Sequence, residues 1–344
     1  MRVAMYYGNN DIRIEEQPIP QIKDTEVLVK IYASGICGSD VMEWYRIDKV
    51  PLVLGHEIGG EIEKVGAKIK KYHVGDRVSA SHHVPCNTCY YCLHGHHTTC
   101  GTLRSTNFDP GGFSEYVRLP PINVDRGIYP LPDSVSLEQA TFIEPLACAL
   151  RAQQKAKIKA GQSVLVMGSG IAGLLHIQLA RTLGATHVMA TDIDEYRLKM
   201  AKKFGADEVW HAQEDIPHKI REVNNGRGAD LIITCTGAVP AIMQALHSVE
   251  RGGTVLFFAP TDKGVTIPLS VNDVFWRNDV TFTTSYAGSP ADHMTALDVI
   301  HSGAVNVKDM ITHRFGLERV EKGFHLVAQG RKSIKVIIEP QKKA

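Results

Sequence analysis

Residues 163–192 read SVLVMGSGIAGLLHIQLARTLGATHVMATD: an apolar run, a turn crowded with glycine, a helical segment, a second apolar run and an acid. Gly168, Gly170 and Gly173 follow the first run at the spacing G-x-G-x-x-G. At that spacing the first glycine permits a tight turn, the second lets backbone approach a pyrophosphate, and the third lets the following helix pack close to the strand. Ile171 and Ala172 complete the turn at the helix N-terminus, whose unpaired N–H groups favour an anion. A bare glycine pattern also occurs in turns without a ligand. Asp192 closes the second run about 20 residues on, where a carboxylate accepts from a ribose hydroxyl and repels a 2′-phosphate. The stretch therefore predicts binding of NAD rather than NADP. The plainer role for Asp192, a helix N-cap, falls more naturally to Asp194, just before EYRLKMAKKFGA.

Beyond Asp192 the alternation continues: a helix over EYRLKMAKKFG, a strand at DEVW, a polar helix to about Asn225, then ADLIITC, VPAIMQALHSV, GTVLFFA and VTFTTSY. Such alternation predicts a doubly wound parallel sheet with helices on both faces. Thr236 and Gly237 follow Cys235 at the carboxyl end of one strand, where the ligand crevice of such sheets opens, and are candidate cofactor contacts as well as plain turn residues. Before the glycine turn, a helical pattern from Ser134 carries Glu144 in FIEPLACAL and Cys148 among apolar neighbours. The first third is different, with short strand-like runs (MRVAMYY, EVLVKIYAS, GGEIEKVG, DRVSAS, FSEYVRLP) between Gly, Pro and Asp turns. The tail after Pro290, ending in SIKVIIEP, is too short for a domain and is expected to fold back on that first third. This divides the chain into residues 1–150 with 290–344, and residues 151–289.

Two groups of metal-ligand residues lie in the first third. Cys37 in SGICGSD and His56-Glu57 in PLVLGHEIGG, with Glu144 further on, are the ligand types of a catalytic zinc that keeps a position open. Singly, each also reads as a buried thiol, a core histidine or a turn acid. Cys86, Cys89, Cys92 and Cys100 are spaced C-x2-C-x2-C-x7-C, four thiolates for a closed, structural zinc site. A ferredoxin-type cluster would need a three-residue last gap and a following proline, whereas Gly101 follows here. His82, His83, His94, His96 and His97 read as solvated loop residues.

The 344 residues carry a formal charge of +1, with 44% hydrophobic and 22% charged residues, so nothing points to nucleic acid or to a membrane surface. No basic-plus-apolar leader precedes Val3, and seven cysteines without one suit a reducing compartment; a cytoplasmic protein is expected.

Taken together, SGICGSD, GHEIGGEIEKVG, VGDRV, the four-cysteine lobe, GGFSEYV, FIEPLACAL, VMGSGIAG and TDIDEYRL resemble, in this order and over nearly the whole chain, the medium-chain zinc-dependent alcohol and polyol dehydrogenases, in particular the sorbitol (L-iditol) dehydrogenase-like branch. The resemblance implies a GroES-like catalytic domain joined to a Rossmann NAD-binding domain, and reversible hydride transfer from a secondary hydroxyl of a polyol or sugar alcohol to NAD. It implies Cys37 and His56 as catalytic zinc ligands, with Glu57 and Glu144 supplying the third ligand or a water-bridged neighbour. Ser39 matches the hydroxyl that passes the substrate proton on, and Arg197 a position near the cofactor's adenosine. A homotetramer or homodimer follows by the same likeness, joined near Thr281.

Two positions depart from that branch. Met42 stands where a relay histidine is common, and Glu43 where tyrosine is common. Methionine cannot relay a proton, so Glu43 or water is expected to take that part. Threonine, a sugar phosphate held by Arg46 or Lys49, and a retired enzyme that only binds NAD and zinc are the competing readings. Trp44, Phe108, Arg118 and Tyr286 are candidates for the substrate pocket.

Overall fold

The alternating runs of the first third pair as antiparallel strands. In the computed structural model, which describes residues 1–342, these are β1 (Arg2–Gly8), β2 (Asp11–Glu16), β3 (Val27–Gly35), β4 (Leu52–Val53), β5 (Glu57–Val65), β6 (Arg77–Ala80), β7 (Tyr116–Leu119) and β8 (Ile128–Pro130). The parallel set follows as β9 (Ser163–Met167), β10 (His187–Asp192), β11 (Glu208–His211), β12 (Ala229–Thr234), β13 (Val249–Phe257) and β14 (Thr281–Thr284), and the chain ends with β15 (Ile311–Phe315) and β16 (Lys335–Ile338). Residues 343–344, the end of the expected C-terminal return, lie outside the described residues.

The chain forms two compact units, with borders after Ala147 and after Tyr286. Residues 304–306 join the second unit. The Gln178 side chain accepts from Asn306 N at 2.8 Å and Thr182 donates to Ala304 O at 3.1 Å, which ties them there.

In the first unit a seven-stranded sheet runs β15-β16-β3-β5-β6-β8, with β7 also on β3, and a smaller sheet runs β2-β1-β4. Val27, Val29 and Ile31 of β3 point to one face with Ile58, Ile62, Val78, Val117 and Leu119, forming a closed apolar core. Burying each such side chain stabilises the fold by roughly 1.5–3 kcal/mol. A second cluster gathers Tyr6, Ile36, Leu54, Phe113, Phe324 and Val336. β16 pairs antiparallel with β3 through Ile337 and Gly35, so the C-terminal strand lies beside the end of β3. The helical pattern from Ser134 is two helices, Leu137–Ala140 and Ile143–Lys155. Pro145 explains the break: it has no N–H for the Thr141 carbonyl and suits only a first turn.

In the second unit all the paired strands are parallel, in the order β11-β10-β9-β12-β13-β14. Counted from the first strand of the unit this is the 3-2-1-4-5-6 order of dinucleotide-binding sheets, which reverses between β9 and β12. The doubly wound parallel sheet expected of this unit is therefore present, beside a mainly antiparallel first unit. No helix of the described residues is long and apolar enough to cross a membrane.

Candidate active site and metal centres

The register of β3 against β5 builds the first centre. Gly35 pairs with Glu57, so Cys37, just beyond the end of β3, comes back against His56, just before β5. Gly55 makes the approach possible: its φ is +93°, and a Cβ there would lie 2.7 Å from Phe113 N. Cys37, His56 and Glu57 each offer a ligand atom, all within 4.8 Å of one another. Ser39 directs its N–H and its hydroxyl at Cys37 Sγ, both at 3.4 Å.

Asp40 supports both ligands from behind. It is fully buried, accepts from Cys37 N at 3.0 Å, and places Oδ1 3.4 Å from His56 Nδ1. With Nδ1 turned to a carboxylate, Nε2 is left as the metal donor, a common support for ligating histidines. Burial alone would raise the Asp40 pKa, but His56, Arg46 and the Cys37 N–H outweigh it and hold Asp40 below the usual carboxylate range. Burial likewise disfavours a charged His56, yet Asp40 and Cys37 push its pKa well above the ordinary histidine value. A pocket that holds positive charge this strongly, among a thiol, an imidazole and carboxylates, fits a divalent cation.

Glu57 is buried and ion-paired with Lys335 of β16, itself fully buried. Gly35 stands between them, and a Cβ there would overlap both the carboxylate and the ammonium. Glu144 occupies the first turn of the helix Ile143–Lys155 and is not one of the three residues clustered within 4.8 Å. Glu43, expected as a relay, accepts from Asn9 N at 2.9 Å on the exposed start of a short helix. The group brought to Ser39 is instead Arg46, which donates to the Ser39 carbonyl at 3.0 Å and to Ser39 Oγ at 3.1 Å and lies 3.6 Å from Asp40. Arg46 is thus no solvated surface charge. Arg118, a pocket candidate, is taken up by Glu26 and Asp109.

The second centre is the lobe of Cys86, Cys89, Cys92 and Cys100. Its sulfurs lie 4.0 Å (Cys86 to Cys92), 3.6 Å (Cys89 to Cys92) and 3.6 Å (Cys100 to Cys86) apart. A tetrahedron with Zn–S bonds of about 2.3 Å has edges of about 3.8 Å, so the four fit one zinc and are far too distant for disulfides. Hydrogen bonds from Thr88 and from Cys89 lower the Cys86 pKa to about 5, which favours the thiolate that binds metal. Among the described residues the apolar cluster of the lobe buries only Leu103 besides Cys92 and Cys100, little apolar surface with which to order it without a metal.

In the second unit the glycine turn follows β9. Gly168 has φ +96°, and a Cβ on Gly173 would fall 1.9 Å from Gly168 O, so neither position accepts a larger residue without the turn moving. The helix Ile171–Thr182 starts on this turn with Gly170 as N-cap. Asp192, at the end of β10, accepts from Ser169 N at 2.7 Å and from Asp194 N at 3.0 Å. Asp194 caps the next helix, accepting from Arg197 N at 3.1 Å. The Arg197 guanidinium lies over Gly170, 3.5 Å from where a Cβ would sit. Thr236 adjoins Gly168, and Gly237 follows against Pro260. Gly168, Gly170, Gly173, Asp192, Arg197 and Thr236 thus meet at the turn, whereas Gly237 lies against Pro260.

The histidines divide. His94 and His96 are exposed, as expected. His82 and His83 are half-buried rather than fully solvated: the His82 ring lies 4.7 Å from His56 and 3.8 Å from His83, and Phe108 packs edge-on to it at 6.2 Å. Burial holds the His83 pKa at about 4 and His82 well below the usual range, so both are neutral near pH 7.

Two family models match the chain, the alcohol dehydrogenase GroES-like domain over residues 23–133 and the zinc-binding dehydrogenase over residues 172–302. D-xylulose reductase A of Aspergillus oryzae is 34% identical over 345 residues, covering 96% of this chain and 94% of that protein. The chain belongs to the medium-chain zinc-dependent dehydrogenases. Sorbitol dehydrogenase of Bacillus subtilis is 31% identical to this dehydrogenase over 354 residues, covering 99% of this chain and 98% of that protein. A solved zinc-binding dehydrogenase of Sinorhizobium meliloti, bound to NADP, superposes with a TM-score of 0.88 at 26% identity and covers 98% of this chain and 99% of that one. The dehydrogenase owes Asp40, Lys335 and the bond from Arg46 to Ser39 to contacts that sequence reasoning missed. Asp40, in the quoted CGSD, was open to inference as a buried acid beside two ligands. Lys335 carried no local signal.

Proposed function

We propose that this dehydrogenase oxidises a secondary hydroxyl of a neutral polyol or sugar alcohol with NAD⁺, reversibly. The observation that carries the reading is the cluster of Cys37, His56 and Glu57, supported by Asp40 and approached by Ser39, in a chain similar end to end to a D-xylulose reductase and a sorbitol dehydrogenase. Cys37, His56 and one of Glu57 and Glu144 would hold the catalytic zinc, and Cys86, Cys89, Cys92 and Cys100 the structural one. A zinc in the first site supplies Lewis-acid polarisation of a hydroxyl oxygen, and a nicotinamide supplies the hydride acceptor. Ser39 holds a mobile proton at Oγ and takes up that of the substrate. Arg46 orients this hydroxyl by donating to its oxygen. With Met42 unable to relay and Glu43 engaged at Asn9, water carries the proton onward. Gly168, Gly170, Ile171, Ala172 and Gly173 approach the pyrophosphate, Thr236 and Gly237 contact the cofactor from the neighbouring strand end, Arg197 stands by the adenosine, and Asp192 receives the ribose.

Asp192 supports NAD over NADP because a buried carboxylate disfavours a 2′-phosphate, and its engaged oxygens keep further lone pairs for hydroxyls. A phosphorylated substrate has less support. Arg46 is occupied by Asp40 and Ser39, and the Lys49 ammonium lies over the Tyr45 ring at 4.6 Å.

We assign residues 1–150 with 290–344 to the catalytic domain and 151–289 to NAD binding. A homodimer or homotetramer belongs to the same reading, supported by the open edge strand β14 and the exposed Val271 and Trp276 near it, and sedimentation at micromolar protein checks it. Seven free cysteines support a cytoplasmic location. The deciding experiment is reduction of NAD⁺ with a panel of polyols, sugar phosphates, threonine and simple secondary alcohols, repeated with NADP⁺ and after chelation. Zinc-dependent turnover of polyols with NAD⁺ is expected. Turnover confined to threonine or phosphorylated sugars would overturn the reading, and silence with both zinc and NAD bound would indicate a retired enzyme.

A further inference from the structure

Arg46 has three guanidinium nitrogens, and two of them are engaged beside the first centre. Nε donates to the Ser39 carbonyl at 3.0 Å and Nη2 to Ser39 Oγ at 3.1 Å, with Asp40 Oδ1 3.6 Å away. The guanidinium also lies over the Tyr45 ring, its central carbon 4.7 Å from the centroid, so its plane is held as well as its edge. Nη1 differs from the other two. Among the described residues no acceptor meets it, and it is not enclosed. The Arg46 side chain is 15% exposed, and Ser39 and Cys37 are half-buried, so this end of the centre is open to a small molecule. Nη1 therefore offers two accessible N–H donors next to the hydroxyl that Nη2 holds.

A guanidinium is a rigid planar fork that meets two oxygens side by side. Here one tine is filled by Ser39 Oγ and the other is open. A substrate hydroxyl that gives its proton to Ser39 brings a second oxygen with it if the adjacent carbon also carries a hydroxyl. Asp40, fully buried, balances the charge of Arg46, so the fork offers hydrogen bonds rather than net charge, which suits a neutral hydroxyl better than a phosphate. Resting on the polyol reading above, we infer that Arg46 reads the hydroxyl next to the reacting one: Nη1 donates to it while Nη2 keeps Ser39 in place, and the site selects vicinal diols over monohydric secondary alcohols. A site that pairs with a substrate hydroxyl discriminates against the analogue lacking it.

The test compares kcat/KM for 2,3-butanediol with that for 2-butanol, which lacks only the second hydroxyl, in zinc-loaded wild type, Arg46→Lys and Arg46→Gln, with sorbitol and xylitol as further substrates and melting temperatures and zinc contents alongside. Lysine keeps the charge beside Asp40 and glutamine keeps a shorter amide donor, but neither spans Ser39 Oγ and a second oxygen. Both substrates should slow in the variants because Ser39 is released, so the diol-to-monoalcohol ratio is what is read. Wild type should favour the diol roughly tenfold or more, and the ratio should fall to within about threefold of unity in the variants, the differential loss lying in KM. A role confined to holding Ser39 or the fold would slow both substrates alike and leave the ratio unchanged. A variant that loses zinc or melts early is set aside, and the wild-type ratio and the intact variant decide. An unchanged ratio, or a wild type without preference for the diol, overturns the inference, while turnover of sorbitol or xylitol leaves the polyol reading standing. A wild type that oxidises no polyol overturns both.

Discussion

Lys335→Met should destabilise the first unit severely, and a second substitution should largely repair it. Lys335 and Glu57 are 0% and 1% exposed in their side chains, and the ammonium also lies 5.3 Å from the Phe142 ring. Taking the lysine away leaves a buried carboxylate without its counter-charge, a loss of about 3–5 kcal/mol. For a folding unit of this size each kcal/mol lowers Tm by about 2–4 °C, so a fall on the order of 10 °C is expected. Glu57→Met alone should cost about as much, by stranding the ammonium. Glu57→Met with Lys335→Met replaces the pair by side chains of similar length and should return to within about 2 kcal/mol of wild type, since buried pairs exchange nearly neutrally for packed apolar groups. The double-mutant cycle then yields a coupling of several kcal/mol. Calorimetry serves as the assay, with the transitions of the two units fitted separately, on chelated and zinc-loaded protein. Zinc should restore part of the Lys335→Met loss, because a nearby cation compensates Glu57. A Tm for Lys335→Met within about 2 °C of wild type, or a double variant as unstable as the singles, would refute the reasoning.

Asp40→Asn keeps the acceptor for Cys37 N but removes the charge facing His56; zinc affinity at the first centre should fall about 10- to 100-fold in chelator competition, and an unchanged affinity would remove Asp40 from the support of the site. His176 is buried in the second unit with a pKa lowered to about 3 by desolvation, against about 6.5 when unfolded. Between those values the unfolded chain binds a proton that the native one does not, so stability falls as pH falls, by about 1.4 kcal/mol per pH unit from this group. His176→Leu should flatten the denaturation profile by about 2–3 kcal/mol between about pH 6.5 and 4.5, and parallel profiles for the two proteins would contradict the assignment.

Much of this protein was legible in its residues because the relevant signals are local. The strand, glycine turn, helix and acid of residues 163–192 follow from period, φ requirement and spacing within one stretch, and the α/β alternation after it repeats the same signal. The four cysteines declared themselves by their spacing. Ligand types at Cys37, His56 and Glu57 were readable too, but their meeting depends on the β3 and β5 register. Pro145, visible from the start, splits a helix that the apolar periodicity alone drew as continuous. His82 and His83 read as solvated but are half-buried, since a pair of histidines in a loop looks polar until Phe108 and His56 pack against it.

Composition and motif order by themselves determined the α/β class, the glycine turn, the candidate metal-ligand residues and the dehydrogenase family, because each is written in residues close together in the chain. Only the tertiary structure decided that Lys335 reaches Glu57 across 278 residues, that Arg46 rather than Glu43 bonds Ser39, and that His293 stands enclosed beside Tyr129. Those pairings arise from strand register and side-chain packing, which depend on the whole core at once and leave no periodic trace in the stretches that contribute them.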